Sequence, residues 1–139
     1  MIIAVIDAQG AGIGQSVIKK IRKETGRTHN IIALGTNAKA GTNMIDAGAD
    51  EVFTGEASIC RFLNENDVDC IIGPIGIICN GGIDGEISDA ISSSIFNSNC
   101  NKYIVPLRKH GIYIPGTWNL EIKDMINEIV REISKKGCS

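Results

Sequence analysis

What most limits the fold of this chain is an alternation: short, continuously apolar runs recur along it, and each leads into a segment with helical spacing. The runs are Ile2–Ile6, Ile31–Leu34, a short one around Val52-Phe53, Asp69–Gly73 and Tyr103–Leu107. Unbroken apolarity is the mark of a strand buried on both faces, whereas a half-exposed strand alternates. The intervening segments place Val17, Ile18 and Ile21, then Met44 and Ile45, then Ile59, Cys60 and Leu63, on single helical faces. A further helix is expected over Glu86 to Phe96, carrying Ile87, Ala90, Ile91, Ser94 and Ile95. The last helix is the plainest, because Ile122, Met125, Ile126, Ile129, Val130 and Ile133 follow the 3.6-residue period. Strands separated by helices require right-handed crossovers and parallel pairing. The sequence therefore predicts an α/β fold, a three-layer Rossmann-like sandwich whose mostly parallel sheet has five or six strands, with Ile112–Ile114 as the sixth.

Size and charge narrow the function classes. The 139 residues match one domain, long enough to bury roughly two-thirds of the unfolded surface, so residues 1–139 read as a single Rossmann-like domain with a tail from Lys135 to Ser139. Lys and Arg (14) nearly cancel Asp and Glu (16), so no net field draws the chain to nucleic acid or to a membrane surface. The apolar start at Met1–Ile6 lacks a basic segment before it and runs at once into Asp7, as a first strand does and an export signal does not. No apolar stretch approaches the ~20 residues that span a bilayer. Five cysteines, Cys60, Cys70, Cys79, Cys100 and Cys138, stand far apart with no CxxC pair, which reads as free thiols, no metal site and a cytoplasmic location.

The loop after the first strand carries the functional signal. Asp7-Ala8-Gln9-Gly10-Ala11-Gly12-Ile13-Gly14-Gln15-Ser16 joins a strand to a helix, the context in which glycines let a backbone approach a phosphate while free amides at the helix start bind it. Its spacing half-matches several patterns. The GxGxxG fingerprint begun at Gly10 meets Gln15 where glycine or alanine belongs, GxxxGxG meets Ala8, and the P-loop meets Gln9 and Gln15 in place of its first glycine and its lysine. Gly10, Ala11, Gly12, Ile13 and Gly14 are therefore candidate contacts to a phosphate-bearing nucleotide, with tight strand-to-helix packing as the alternative.

Other segments add candidates. The second strand ends in Gly35-Thr36-Asn37 with no acid to hold an adenosine ribose. That disfavours NAD and leaves room for NADP, whose extra phosphate would meet Thr36, Asn37 and Lys39, or for a mononucleotide; Thr36-Asn37 reads equally well as a helix cap. Gly73, Pro74 and Gly76 follow the fourth strand, which faces the first across the point where strand order reverses, the usual ligand crevice of such sheets. The loop from Asn80 to Glu86 has the length of a lid and brings Asp84 and Glu86, an acid–base pair in one reading; Glu86 as a first-turn helix acid is the other. Arg108-Lys109-His110 can reach a phosphate or stay a solvated turn. Asp7 has no second acid beside it to form a phosphoacceptor pocket, His29 carries no assignment, and neither a GxSxG elbow nor a YxxxK pair is present.

The strings IAVIDAQGAGIG, IIALGTNA, AGAD followed by TGE, IIGPIGII and GEIS, in that order, resemble the family known as domain of unknown function 3842 over about residues 2–107. Members usually read DGQGGGIG at the first loop, where this chain has Ala8 and Ala11 in place of two glycines. The resemblance implies a compact bacterial Rossmann-like protein and supplies no activity, cofactor or catalytic residue. Three functions remain open: a nucleotide- or dinucleotide-binding module, a small NAD(P)-dependent oxidoreductase working as a homo-oligomer or with a partner, and an interaction protein that binds no ligand.

Overall fold

The computed structural model describes residues 1–137. Its strands are β1 (Ile2–Asp7), β2 (Asn30–Gly35), β3 (Glu51–Thr54), β4 (Cys70–Pro74) and β5 (Asn101–Val105), and its helices are α1 (Gly12–Thr25), α2 (Ala38–Asp46), α3 (Glu56–Glu65), α4 (Asp89–Asn97) and α5 (Ile122–Gly137). A single 3-10 turn, Ile75–Ile78, follows β4. All four strand pairings are parallel, in the order β3-β2-β1-β4-β5. The first crossovers run outward from β1 through β2 to β3, and the chain then returns to place β4 on the other side of β1. Order reverses between β1 and β4, so the loops leaving these two strands diverge and open a crevice between them.

The pleat sorts the apolar runs into two cores. Ile3 and Val5 of β1 face one side with Ile31, Ala33 and Ile72, under Val17, Ile18 and Ile21 of α1, Met44 of α2, and Ile126, Ile129, Val130 and Ile133 of α5. Ala4 and Ile6 face the other with Ile32, Leu34 and Ile71, under Ile59, Phe62 and Leu63 of α3 and Ile91 and Ile95 of α4. Burying such a side chain stabilises the fold by about 1.5–3 kcal/mol. Covered on both faces, β1, β2 and β4 carry no polar stripe.

The structure departs from the sequence reading in three places. The sheet has five strands: Ile112–Ile114 lies outside it. Pro106 and Pro115 remove two amide donors around that segment, and His110 and Gly111, with φ of 56° and 71°, turn the chain away. The fourth helix starts at Asp89, with Ser88 Oγ accepting from the Ile91 amide at 3.2 Å, so Glu86 stands before the helix and Asp89 is its first-turn acid. The tail expected from Lys135 is helical as far as Gly137, and Cys138 and Ser139 lie outside the described residues. Among the described residues no helix is long and apolar enough to cross a membrane.

Candidate functional site

The crevice at the carboxyl ends of β1 and β4 has a volume of about 640 Å³, in the range of pockets that enclose small ligands. One wall is the loop after β1. The Asp7 carboxylate turns back into this loop, Oδ1 accepting from the Ala8 amide and Oδ2 from the Gly14 amide, each at 2.8 Å. Burial pushes the Asp7 carboxyl up from its ordinary 3.8, and the two amides, then Lys109, pull it only partly back. Gly10 is fixed from outside, because Gln15 Nε2 and Asn43 Nδ2 both donate to its carbonyl at 2.9 Å.

With the loop held this way, the amides of Gly10, Gly12 and Ile13 have no hydrogen-bond partner among the described residues. Two of them open α1, whose aligned peptide dipoles place about half a positive charge at that end. A Cβ built on Gly10 or Gly12 would meet nothing within 4 Å, and neither glycine has positive φ. The fold therefore gives no packing or backbone reason for glycine at these two positions. What their missing side chains leave is open access to three free donors.

The opposite wall is Pro74, Ile75, Gly76 and the segment Cys79 to Asp84; Leu107, Lys109, His110 and Ile112 complete the rim. Ile13, Pro74, Ile75, Ile83, Leu107 and Ile112 give the crevice an apolar half, and the charge of Lys109 on the rim favours the ionised form of the loop carboxylate. Strain gathers here too. Among the described residues, Gln9, Ala11, Ile83, Asp84 and His110 are the non-glycine positions with positive φ, at 51–56°, and every one lines the crevice. For a β-branched residue such as Ile83 this backbone is a true outlier, and such residues persist only where neighbours impose them.

Behind Gln9 the crevice is closed. Glu86 Oε1 accepts from the Gln9 amide at 3.1 Å, from Thr36 Oγ1 at 2.6 Å and from Asn37 Nδ2 at 2.9 Å. Burial raises the Glu86 carboxyl, but the Thr36 hydroxyl and the Gln9 and Asn37 amides more than reverse this and hold it below the ordinary carboxylate range. Asp84 reinforces the closure by accepting from Gln9 Nε2.

The sequence matches, over residues 2–137, the family described as Domain of unknown function (DUF3842). The chain belongs to this family. The match carries the resemblance beyond residue 107 to take in α5. None of the curated proteins matches the sequence. Among solved structures the fold is similar to the dodecameric FMN-dependent UbiX-like decarboxylase from Escherichia coli O157:H7, at 13% identity and a TM-score of 0.54, covering 98% of this chain and 94% of that one. It is also similar to AibC, at 16% identity and a TM-score of 0.52, covering 98% of this chain but 42% of that one. At these identities the likeness is one of fold.

Within this DUF3842 chain the candidate residues separate into two groups. Gly10, Ala11, Gly12, Ile13, Pro74 and Gly76 come together around the crevice. Gly14 packs against Met44 and Asp7, and Gly73 lies against the Ile6 carbonyl, where an added Cβ would come to 2.6 Å. Asn37 caps α2 by accepting from the Ala40 amide at 2.8 Å while its other end donates to Glu86. Asp84 lines the crevice and Glu86 does not. Of the basic turn, Lys109 and His110 reach the rim, whereas Arg108 donates to the Thr117 carbonyl at 3.3 Å. Among the described residues no three His, Cys, Asp or Glu side chains are gathered to hold a metal ion.

Sequence reasoning missed the turned-back Asp7 carboxylate, the rim residues Leu107 and Ile112, and the Glu86 closure. Asp7 at the last position of β1, seven residues before a glycine amide, was the one signal available, and its usual reading is a solvent-facing acid. The partners of Glu86 lie 49, 50 and 77 residues away, beyond the reach of any spacing argument.

Proposed function

We propose that the protein binds a phosphate-bearing mononucleotide in this crevice, with flavin mononucleotide as the first candidate. The phosphate would take the amides of Gly10, Gly12 and Ile13, assisted by Lys109 from the rim, and the planar ring would lie in the apolar half against Pro74, Ile75 and Ile83. The observation that carries the reading is the open space at Gly10 and Gly12 beside three unpartnered amides. An oxygen-rich anion fills that space without moving the protein. The closure at Gln9 favours one nucleotide over two, because the donors at the end of β2 are already held by Glu86. That one structural neighbour is an FMN-dependent decarboxylase supports the choice of ligand. A flavin bound here would supply redox chemistry of its own, and this chain would hold and orient it. Self-association belongs to the same proposal: Tyr113, Trp118, Leu120 and Ile122 are exposed along the chain beyond the rim residue Ile112, and that neighbour is dodecameric.

The test is thermal unfolding of the full chain against FMN, AMP, ATP, NAD, NADP, FAD and coenzyme A. A ligand present at about 100 times its Kd adds roughly 2.7 kcal/mol, a rise of several degrees for a domain of this size. The proposal expects FMN or another mononucleotide to raise the midpoint and the dinucleotides to leave it in place. A midpoint indifferent to every mononucleotide would overturn it in favour of a ligand-free interaction protein, and a shift by NADP with turnover would favour the oxidoreductase.

A further inference from the structure

We infer that Glu86 is the residue that sets the ligand class of the crevice: its carboxylate occupies the donors at the end of β2 and shuts out a second nucleotide. The inference rests on the mononucleotide reading above and names what enforces it.

In a sheet of this order, the crevice between β1 and β4 continues over β1 to the carboxyl end of β2, and a dinucleotide lays its adenosine half there. Here that end is Thr36-Asn37, and its polar groups are taken. The Thr36 hydroxyl, the Asn37 side-chain amide and the Gln9 backbone amide all donate to one oxygen, Glu86 Oε1. These are donors that a ribose phosphate would need, and ribose hydroxyls, which need an acceptor, find Oε1 already taken by three donors. The carboxylate holding them is ionised at neutral pH, so it also repels an incoming phosphate.

The contacts reach across the fold. Glu86 belongs to the loop before α4, whereas Gln9 and Thr36 lie in the loops that follow β1 and β2, so a single side chain pins three loops and Gln9 becomes the wall of the crevice. Its own segment is bent to reach this place. Ile83 and Asp84 both hold positive φ, the Glu86 amide donates to the Ile83 carbonyl at 3.1 Å, and Ile83 is seated where a Cβ on Gly76 would come within 2.6 Å of it. Backbone held in so sparsely populated a region marks an imposed geometry. Asp84, donated to by Gln9 Nε2, doubles the negative charge along the same line.

Removing the carboxylate frees Thr36 and Asn37 while leaving Gly10, Gly12 and Ile13 untouched. Lys39, exposed at the start of α2, then adds a cation near the opened end. The experiment is calorimetric titration of the full chain, wild type, Glu86→Ala and Glu86→Gln, with FMN, NAD and NADP, each variant first shown to melt cooperatively. The expected result is that Glu86→Ala tightens NADP at least tenfold and changes FMN by less than twofold. Glu86→Gln keeps the shape and loses the charge, so it should give a smaller gain that favours NADP over NAD. Dinucleotide binding that is already tight in the wild type, or that stays unchanged or weakens in Glu86→Ala, overturns the inference. If the wild type ignores FMN but Glu86→Ala takes up NADP, the inference stands and the mononucleotide reading falls.

Discussion

At the amino end of the sheet, Arg22 reaches from α1 to donate to the carbonyls of Gly48 and His29 at 2.8 and 3.0 Å and pairs with Asp50 at 2.6 Å. Asp50 in turn accepts from the Ile31 amide at 2.8 Å, Asp69 accepts from the Ile2 amide at 2.6 Å, and His29 is buried beneath. At the carboxyl end, three amides of the first loop stay unpartnered and five non-glycine residues hold positive φ. The two ends use similar residues, short polar loops with glycines and acids, yet one is closed by its own side chains and the other is left open and strained. Stability has been concentrated where the loops only connect, and hydrogen-bonding capacity has been kept back where they converge. That division is the pattern expected of a binding crevice on a rigid scaffold.

The largest expected effect tests whether the carboxyl end is permissive throughout. Gly73 lies under the crevice, and a side chain there would drive into the Ile6 carbonyl and Ile77. Gly73→Val should lose about 3 kcal/mol or more, read as a lower denaturant midpoint or as failure to fold. If it melts like the wild type, the separation of packing glycines from site glycines is wrong.

A smaller effect breaks the other end. Asp50→Asn weakens the pair with Arg22 and the bond from Ile31 and should cost about 1–2 kcal/mol at pH 7, with ligand affinity unchanged. Its pH dependence has a definite sign. Burial raises the Asp50 carboxyl, but the Ile31 amide and Arg22 together hold it below its ordinary 3.8. A lowered carboxyl contributes stability above the unfolded value and loses it as pH falls through the folded one. The gap between wild type and Asp50→Asn should therefore be full near neutrality and close below about pH 4. Urea melts across that range check it, and a gap that persists in acid would mean that the Asp50 charge does not fasten this end.

Much of the scaffold was legible, for a physical reason: strands buried on both faces must be continuously apolar, and their helices must carry one apolar stripe. Ile2–Ile6, Ile31–Leu34 and the helix through Ile126 and Ile133 announce themselves in this way. The first loop was legible as a place, since strand, glycines and helix lie consecutively. Its inner division was not. Gly12 and Gly14 are two residues apart and look alike, and only packing against Met44 and Asp7 distinguishes them. Ile112–Ile114 has the composition of a strand, but Pro106, His110 and Gly111 decide its course. Glu86 has the composition of a helix acid, and its partners on two other loops become neighbours only when the sheet forms.

The central claim is that Gly10 and Gly12 are glycine for the sake of a phosphate, and the most direct test is Gly12→Val, compared with wild type in one FMN titration and one thermal melt. A Cβ there meets no protein atom within 4 Å, so stability should stay within about 1 kcal/mol of wild type, while the side chain covers the free amides and affinity falls about a hundredfold or more, roughly 2.7 kcal/mol. Equal affinity in the two proteins, or a valine variant that unfolds, would contradict the account.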